Sequence, residues 1–175
     1  HELVRQFKTH VLGLLESCIG AVYHATNTVL QRLDQVQRRF LRELDPPEIA
    51  FLTFNLAPTT LRRDVAMLGF LHKVSTGQAH PYANRLFPRA PNPPRTHTTR
   101  LASTRHTLQL ADSALNFKRP PLEIFKRSVF GLVKIYNLLP ENWVAGSVQL
   151  LQKNLTHSAK LACKRKVEDW EDLFN

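Results

Sequence analysis

Cysteine is scarce in this chain of 175 residues, which has two, Cys18 and Cys163. Two thiols cannot form the disulfide framework of a small secreted domain, and their spacing is not that of a zinc site. No apolar run approaches the roughly 20 residues that a membrane-spanning helix requires, and no signal peptide is evident. We therefore expect an intracellular protein, nuclear or cytoplasmic, that is not secreted and does not engage a membrane.

Signatures of catalysis are also absent. The six glycines are scattered and form no phosphate-binding loop, and neither a nucleophile elbow nor a zinc-protease helix occurs. None of the eight histidines pairs with an acidic or thiol ligand at metal spacing, so we expect solvent or loop histidines. The acidic residues at 168–172 follow the basic run 164–166, which favours a charged terminal helix over a Mg²⁺ site. We expect a non-catalytic chain with no cofactor, metal or small-molecule substrate.

Positive charge is the strongest compositional feature, with a net charge of +10. Residues 85–134 hold ten Lys/Arg and two Asp/Glu, a net of +8 that leaves +2 for the rest of the chain. Such an excess favours an anionic partner, nucleic acid above all, although a solvated basic surface has the same composition.

The clearest helical pattern covers residues 29–44. Thr28 is a candidate N-cap, and Asp45 followed by two prolines ends the pattern. Apolar side chains recur at helical spacing at Leu30, Leu33, Val36, Phe40, Leu41 and Leu44. The polar side carries Arg32, Arg38, Arg39 and Arg42. This pattern predicts an amphipathic helix that packs on a core and offers guanidinium groups to an anion.

The remaining patterns predict a mainly α fold in three segments. Residues 1–80 form a helical bundle, with further helices over 2–18 and from Pro58-Thr59-Thr60 to Gly77. Residues 81–112 form a proline-rich basic linker, irregular and exposed at 88–100. Residues 113–175 form a smaller helical unit, broken at Pro140. The residues predicted to be buried together in the bundle are Leu33, Val36, Phe40, Leu61, Val65, Leu68 and Leu71.

Three strings in this order carry a family resemblance. The first is Phe7-Lys8-x-x-Val11, then Glu16, Tyr23 and Leu33-x-x-Val36-Gln37-Arg38-Arg39. The second is Leu56-x-Pro58-x-x-Leu61-Arg62-Arg63-Asp64, then Lys73 and Gly77. The third is Lys126-Arg127-Ser128-Val129-Phe130, then Tyr136-Asn137-x-Leu139-Pro140. Together they resemble the C-terminal region that follows the polymerase core in reverse transcriptases of non-LTR (LINE-type, jockey-like) retrotransposons.

The resemblance implies a thumb-like helical segment beside the template–primer duplex of an RNA-directed DNA polymerase. The catalytic aspartates of that family lie in an upstream Ala-Asp-Asp motif. This chain contains no Asp-Asp pair, so the polymerase activity does not carry over to it. The cysteine/histidine knuckle at the end of some relatives is absent as well. We therefore expect a fragment whose partners are the upstream polymerase domain and an RNA or DNA template–primer.

The predicted nucleic-acid contacts are two basic groups. The first is Arg38, Arg39, Arg42, Arg62 and Arg63, and the second is Lys126 with Arg127. They would contact phosphates without reading sequence. Arg62 and Arg63 have an alternative role as structural ion pairs with Asp64 or Glu43. For the whole chain, the alternative is a helical protein-interaction module whose basic face meets an acidic partner.

Overall fold

The computed structural model describes residues 2–17, 19–44, 56, 59–91, 106–112, 125, 128–165 and 170–174. It is mainly helical, as predicted, and β-type pairing within these residues is limited to one bridge between Arg89 and Leu110. A π-helical stretch, Phe7–Leu12, joins the first two helices. The α-helices are α1 Glu2–Gln6, α2 Gly13–Ser17, α3 Ile19–Val22, α4 Asn27–Arg42, α5 Thr59–Ser75, α6 Pro81–Leu86, α7 Leu132–Leu138, α8 Glu141–Val144, α9 Val148–Arg165 and α10 Trp170–Phe174.

The chain divides into two compact units. The first contains His1–Ala66 and Thr156–Leu173, and the second contains Met67–Leu155 and Phe174–Asn175. The predicted boundaries after residues 80 and 112 do not coincide with this division, because α5 and α9 each contribute residues to both units.

In the first unit, α4 packs through a different face from the one predicted. Its buried residues are Asp34, Gln37 and Leu41, whereas Leu33 and Phe40 are half-buried. The prediction that Val36 is a core residue is wrong, since Val36 is 37% exposed. A core cluster forms from Phe7, Leu12, Leu41 and Leu56, and Phe40 packs against it with its ring stacked 3.8 Å from that of Phe7.

The difference between the predicted and the observed buried face of α4 has an electrostatic cause. Asp34 accepts a hydrogen bond of 2.6 Å from Arg63 Nη1 and another of 2.6 Å from the Thr59 hydroxyl, and both donors belong to α5. A buried carboxylate is tolerated when it is paired and hydrogen-bonded. An aliphatic pattern cannot reveal this contact, because the partner is 29 residues away in the sequence.

Local signals predict several of the helix ends correctly. Helix α5 begins at Thr59 and ends at Ser75, as predicted. Gly77 has a φ of +74°, and the amides of Gly77 and Gln78 donate to the carbonyls of Val74 and Lys73 at 3.0 and 2.7 Å. This pattern is a Schellman motif, which favours glycine at the left-handed position. The predicted Thr28 cap is wrong, since the N-cap of α4 is Thr26 and its side chain makes no capping hydrogen bond.

The predicted single hydrophobic core is divided between the units. Leu61 and Val65 are buried in the first unit, whereas Leu68 and Leu71, on the later turns of the same helix, are buried in the second. Further buried residues of the second unit are Val133, Leu139, Leu151 and Leu155. The break at Pro140 is confirmed, because α7 ends at Leu138.

The described parts of the predicted linker, 81–91 and 106–112, both belong to the second unit. Ala90 N donates to Gln109 O at 3.0 Å, and Ala111 N donates to Pro88 O at 2.8 Å. The Asn137 side chain bonds both the amide and the carbonyl of Leu110, at 3.0 and 2.8 Å. The two ends of the segment are therefore paired with each other. Residues 92–105, with most of the predicted irregular stretch, lie outside the described residues, as does the predicted helix after Pro121 up to Ser128, except Phe125.

Candidate nucleic-acid interface

One side of α4 displays four arginines, which we call the arginine face. Arg32, Arg38, Arg39 and Arg42 are all exposed. Residues three and four positions apart are neighbours on a helix surface, so Arg42 lies next to both Arg38 and Arg39. Among the residues that the structure describes, no carboxylate lies within ion-pair distance of any of them. The arginine face therefore exposes four guanidinium groups that no carboxylate of the described residues neutralises.

The burial of Asp34 contributes to this arrangement. With Asp34, Gln37 and Leu41 turned inward, the opposite side of α4 holds the four arginines together with Gln31 and Gln35. The one acidic residue that could neutralise the middle of the helix is engaged with Arg63. The arginines are visible in the sequence, but the charge on the exposed surface of α4 depends on the burial of Asp34.

Arg63, a predicted contact residue, lies in the interior. Its side chain forms an ion pair with Asp34, with Nη1 to Oδ1 at 2.6 Å, and the residue is 8% exposed. The guanidinium is thus a structural element that joins α5 to α4. The sequence predicted a structural ion pair as the alternative role of Arg63, but with Asp64 or Glu43 as the partner instead of Asp34.

Arg62 is also paired within the first unit. Its Nε donates to Glu16 Oε1 at 2.6 Å across 46 residues of sequence, and both side chains are partly exposed. Asp64, the alternative partner considered for Arg62, instead accepts from the hydroxyl of Tyr23 at 2.7 Å and from Trp170 Nε1 at 3.1 Å. Burial, together with the Asp64 charge, raises the pKa of Tyr23 well above its usual range, so the hydroxyl stays protonated and donates.

A cationic group near Arg62 was missed by the sequence-based prediction. Partial burial lowers the pKa of Lys8, and the positive charges of Arg62 and Lys160 lower it further. Lys8 and Lys160 come from opposite ends of the chain, so no local pattern could group them.

Lys126 and Arg127, the second predicted patch, lie outside the described residues.

The second unit contains a buried polar network centred on Tyr136. Its hydroxyl lies 3.0 Å from His72 Nδ1 and 2.6 Å from the Ser75 hydroxyl. His72 Nε2 is 3.1 Å from Gly146 O, and since a carbonyl can only accept, Nε2 carries the proton and Nδ1 accepts from Tyr136. His106 Nε2 likewise donates to Tyr136 O at 2.9 Å.

This network is a structural element of the core. Ser75 is fully buried, and its one hydroxyl proton is shared between the Tyr136 hydroxyl at 2.6 Å and His72 O at 2.9 Å, so this hydroxyl is closed off from solvent. Burial lowers the pKa of both His72 and His106, which keeps the two rings neutral at neutral pH. The expectation of solvent or loop histidines is wrong for His72, a buried residue of α5, because Tyr136 and Gly146 satisfy both of its ring nitrogens.

Two further observations concern metal ions and membranes. Within the described part of the chain, no three His, Cys, Asp or Glu side chains come together as a metal site would require. None of the helices described is both long and apolar enough to cross a membrane.

Comparisons with known proteins return no similarity. No protein-family profile, no curated protein and no solved structure matches this chain.

Proposed function

We propose that this chain is a non-catalytic, nucleic-acid-binding segment that holds a template–primer through phosphate contacts, as the C-terminal region of a retrotransposon reverse transcriptase would. The observation that carries the proposal is the arginine face of α4, which is exposed and free of carboxylate partners among the described residues. The net charge of +10 supports it further.

The mechanism is electrostatic. A guanidinium presents a planar fork of donors that can grip a phosphate through two hydrogen bonds at once. Because Arg38 and Arg39 both neighbour Arg42 on the helix, at least two guanidinium groups can contact phosphates along one nucleic-acid strand. Each phosphate that is neutralised releases condensed counterions, which makes the affinity depend on salt and leaves it independent of sequence.

Replacing Arg38, Arg39 and Arg42 together by Gln tests this mechanism. Binding to a fluorescent primer–template duplex is measured by anisotropy across a salt series. We expect weaker binding to every sequence and a salt slope flatter by about 0.9 for each phosphate that the variant no longer neutralises. The matched control replaces three other exposed cations, Arg5, Lys73 and Lys153, by Gln and removes the same charge.

The control separates a site from bulk charge. We expect it to keep most of the wild-type slope, because none of its residues lies on α4. If the two triple variants lose equal affinity, or if the α4 variant keeps wild-type binding while folded, the arginine face is not the contact surface.

A helical protein-interaction module with an acidic partner is the second candidate. Val29 and Val36 are 45% and 37% exposed on the same helix as the arginines, which gives a mixed apolar and basic surface suited to an amphipathic acidic helix. Absence of nucleic-acid binding even at low salt would favour this candidate.

The proposed parent protein has its own test, which is independent of binding. The coding sequence immediately upstream of this segment should contain an Ala-Asp-Asp motif if the chain belongs to a reverse transcriptase. A continuous reading frame without that motif would remove the retrotransposon assignment and leave the binding mechanism to be judged on its own data.

A further inference from the structure

The short helix α6 of the second unit carries an unusual solvent-facing surface. Tyr82 is 68% exposed and Leu86, one turn later, is 60% exposed. Arg85 lies on the same side, with its guanidinium carbon 5.5 Å from the centroid of the Tyr82 ring. An exposed aromatic ring with a cation beside it is the combination on which single-stranded nucleic acids stack and pair their phosphates.

The aromatic ring is held in place before any ligand arrives. His80 stacks on Tyr82, with ring centroids 5.3 Å apart and planes 12° from parallel. His80 Nδ1 accepts a hydrogen bond of 3.3 Å from the backbone amide of Tyr82, which orients the imidazole at the start of the helix. His80 and Arg85 therefore lie beside the Tyr82 ring, which remains largely exposed.

The helix that carries this surface is anchored from its other end. Phe87, which follows α6, is buried and lies in ring contact with Phe70 and Phe130, at centroid distances of 6.1 and 4.7 Å. Arg89 Nη2 donates to Ser75 O at 2.7 Å. These contacts fix α6 in the second unit while the side that bears Tyr82 and Arg85 stays open.

We propose that His80, Tyr82 and Arg85 form a stacking site for an unpaired nucleobase, so that the second unit binds single-stranded nucleic acid. The inference deepens the proposed function and rests on it for the class of ligand. Every base offers a π-face to an aromatic ring, and Arg85 supplies a charge for the adjoining phosphate. Bases within a duplex have both faces covered, so this site discriminates strandedness. An acidic peptide without aromatic side chains offers Tyr82 no such π-face.

The test compares two probes of the same sequence on the folded full chain. The first is a labelled oligodeoxythymidylate of about 20 nucleotides, longer than one binding module covers, and the second is its duplex with the complementary strand. For Tyr82→Ala we expect single-strand affinity to fall roughly 5- to 150-fold, in line with the loss of one base–aromatic stack, with duplex affinity unchanged. Tyr82→Trp should keep single-strand binding because it preserves the ring.

Two controls make the readout specific. Leu14→Ala removes a side chain that is 71% exposed in the first unit and should change neither affinity. A photoreactive iodouracil oligonucleotide should crosslink to the peptide that contains Tyr82, as identified by mass spectrometry. Circular dichroism verifies that each variant is folded.

The outcomes separate this inference from the proposed function. Loss restricted to the single strand, with rescue by Tyr82→Trp, supports the stacking site. Equal loss on both probes, no loss on either, or a wild-type chain that binds only the duplex overturns it. If the α4 arginine variant keeps its affinity for both probes while Tyr82→Ala loses the single strand, the mechanism at α4 fails and the stacking site is supported.

Discussion

The first unit buries a charged pair, whereas the second unit buries neutral polar groups that bond to one another. In the first unit, Asp34 pairs with Arg63, and Asp64 accepts from Tyr23 and Trp170. In the second, the Tyr136 hydroxyl joins His72 and Ser75. A buried ion pair is costly when one partner is removed, while a neutral hydrogen bond is worth less. The two units should therefore respond very differently to single substitutions.

The contrast also affects the surface. The first unit turns Asp34 inward and leaves Arg38, Arg39 and Arg42 outside, so the exposed surface of α4 is more positive than the composition of that helix indicates. The neutral network of the second unit has no such effect on its surface. The arrangement of α4 thus links internal stability to the proposed binding face.

The largest effect is expected from Arg63→Met in the first unit. This change leaves the Asp34 carboxylate buried without its ionic partner, and we expect a loss of about 3–5 kcal/mol in the free energy of unfolding. Trp170 belongs to the first unit and Trp143 to the second, so urea unfolding in a Trp143→Phe background follows the first unit by fluorescence.

The double variant Asp34→Leu, Arg63→Met is the matched control for that loss. Apolar replacement of both members of a buried pair is often neutral, so most of the stability should return. A single variant that loses less than about 1 kcal/mol would show that the pair is solvated and would weaken the contrast between the units.

A smaller effect is expected from Tyr136→Phe in the second unit. The change removes the hydroxyl that serves both His72 and Ser75, at a cost of about 1–3 kcal/mol. Fluorescence of Trp143 in a Trp170→Phe background reports it. The exposed Tyr82→Phe is the control and should cost no more than about 0.5 kcal/mol. A Tyr136→Phe loss as large as that of Arg63→Met would contradict the comparison.

The smallest effect is expected from mild acid, which removes no atoms. Burial lowers the pKa of His72 and of His106, while the Glu141 charge partly opposes the shift at His106. Above the unfolded-state pKa of about 6.5 both states are neutral and stability is full. As the pH falls below that value, the unfolded state binds protons first, so the second unit loses stability.

The acid effect is measured by urea unfolding between about pH 7 and 5, again through Trp143. His72→Gln should flatten the pH dependence of the free energy of unfolding, because the Gln amide can keep the hydrogen bond to Gly146 without titrating. His157→Gln, an exposed histidine of the first unit, should leave it unchanged. A second unit equally stable at both pH values would mean that the buried rings accept protons freely.

Alkaline pH should not distinguish the units in the same way. Burial raises the pKa of Tyr136 to about 12, and burial with the Asp64 charge raises that of Tyr23 above its usual range. Both tyrosines therefore stay protonated in the folded chain after the unfolded chain has begun to ionise near pH 10. Each unit contains one such residue, so both lose stability as the pH rises past that value.

The sequence by itself determined the long helices and several of their ends, but not α6, which lies in the segment predicted as a linker. The spacing of apolar residues predicts the helices that became α4 and α5, and Thr59, Gly77 and Pro140 mark boundaries through local backbone chemistry. Such signals act within a few residues, through capping, positive φ or a missing amide hydrogen. The exposed arginines of α4 follow from the same periodicity.

Tertiary structure decided which face of α4 is buried and which arginines are available. Asp34 is buried because Arg63 and Thr59 of another helix donate hydrogen bonds to its carboxylate, and Val36 is exposed as a result. Arg62 is held by Glu16 for the same kind of reason, since its partner lies 46 residues away. Pairing between distant residues depends on how the helices come together, and no local pattern in the chain encodes it.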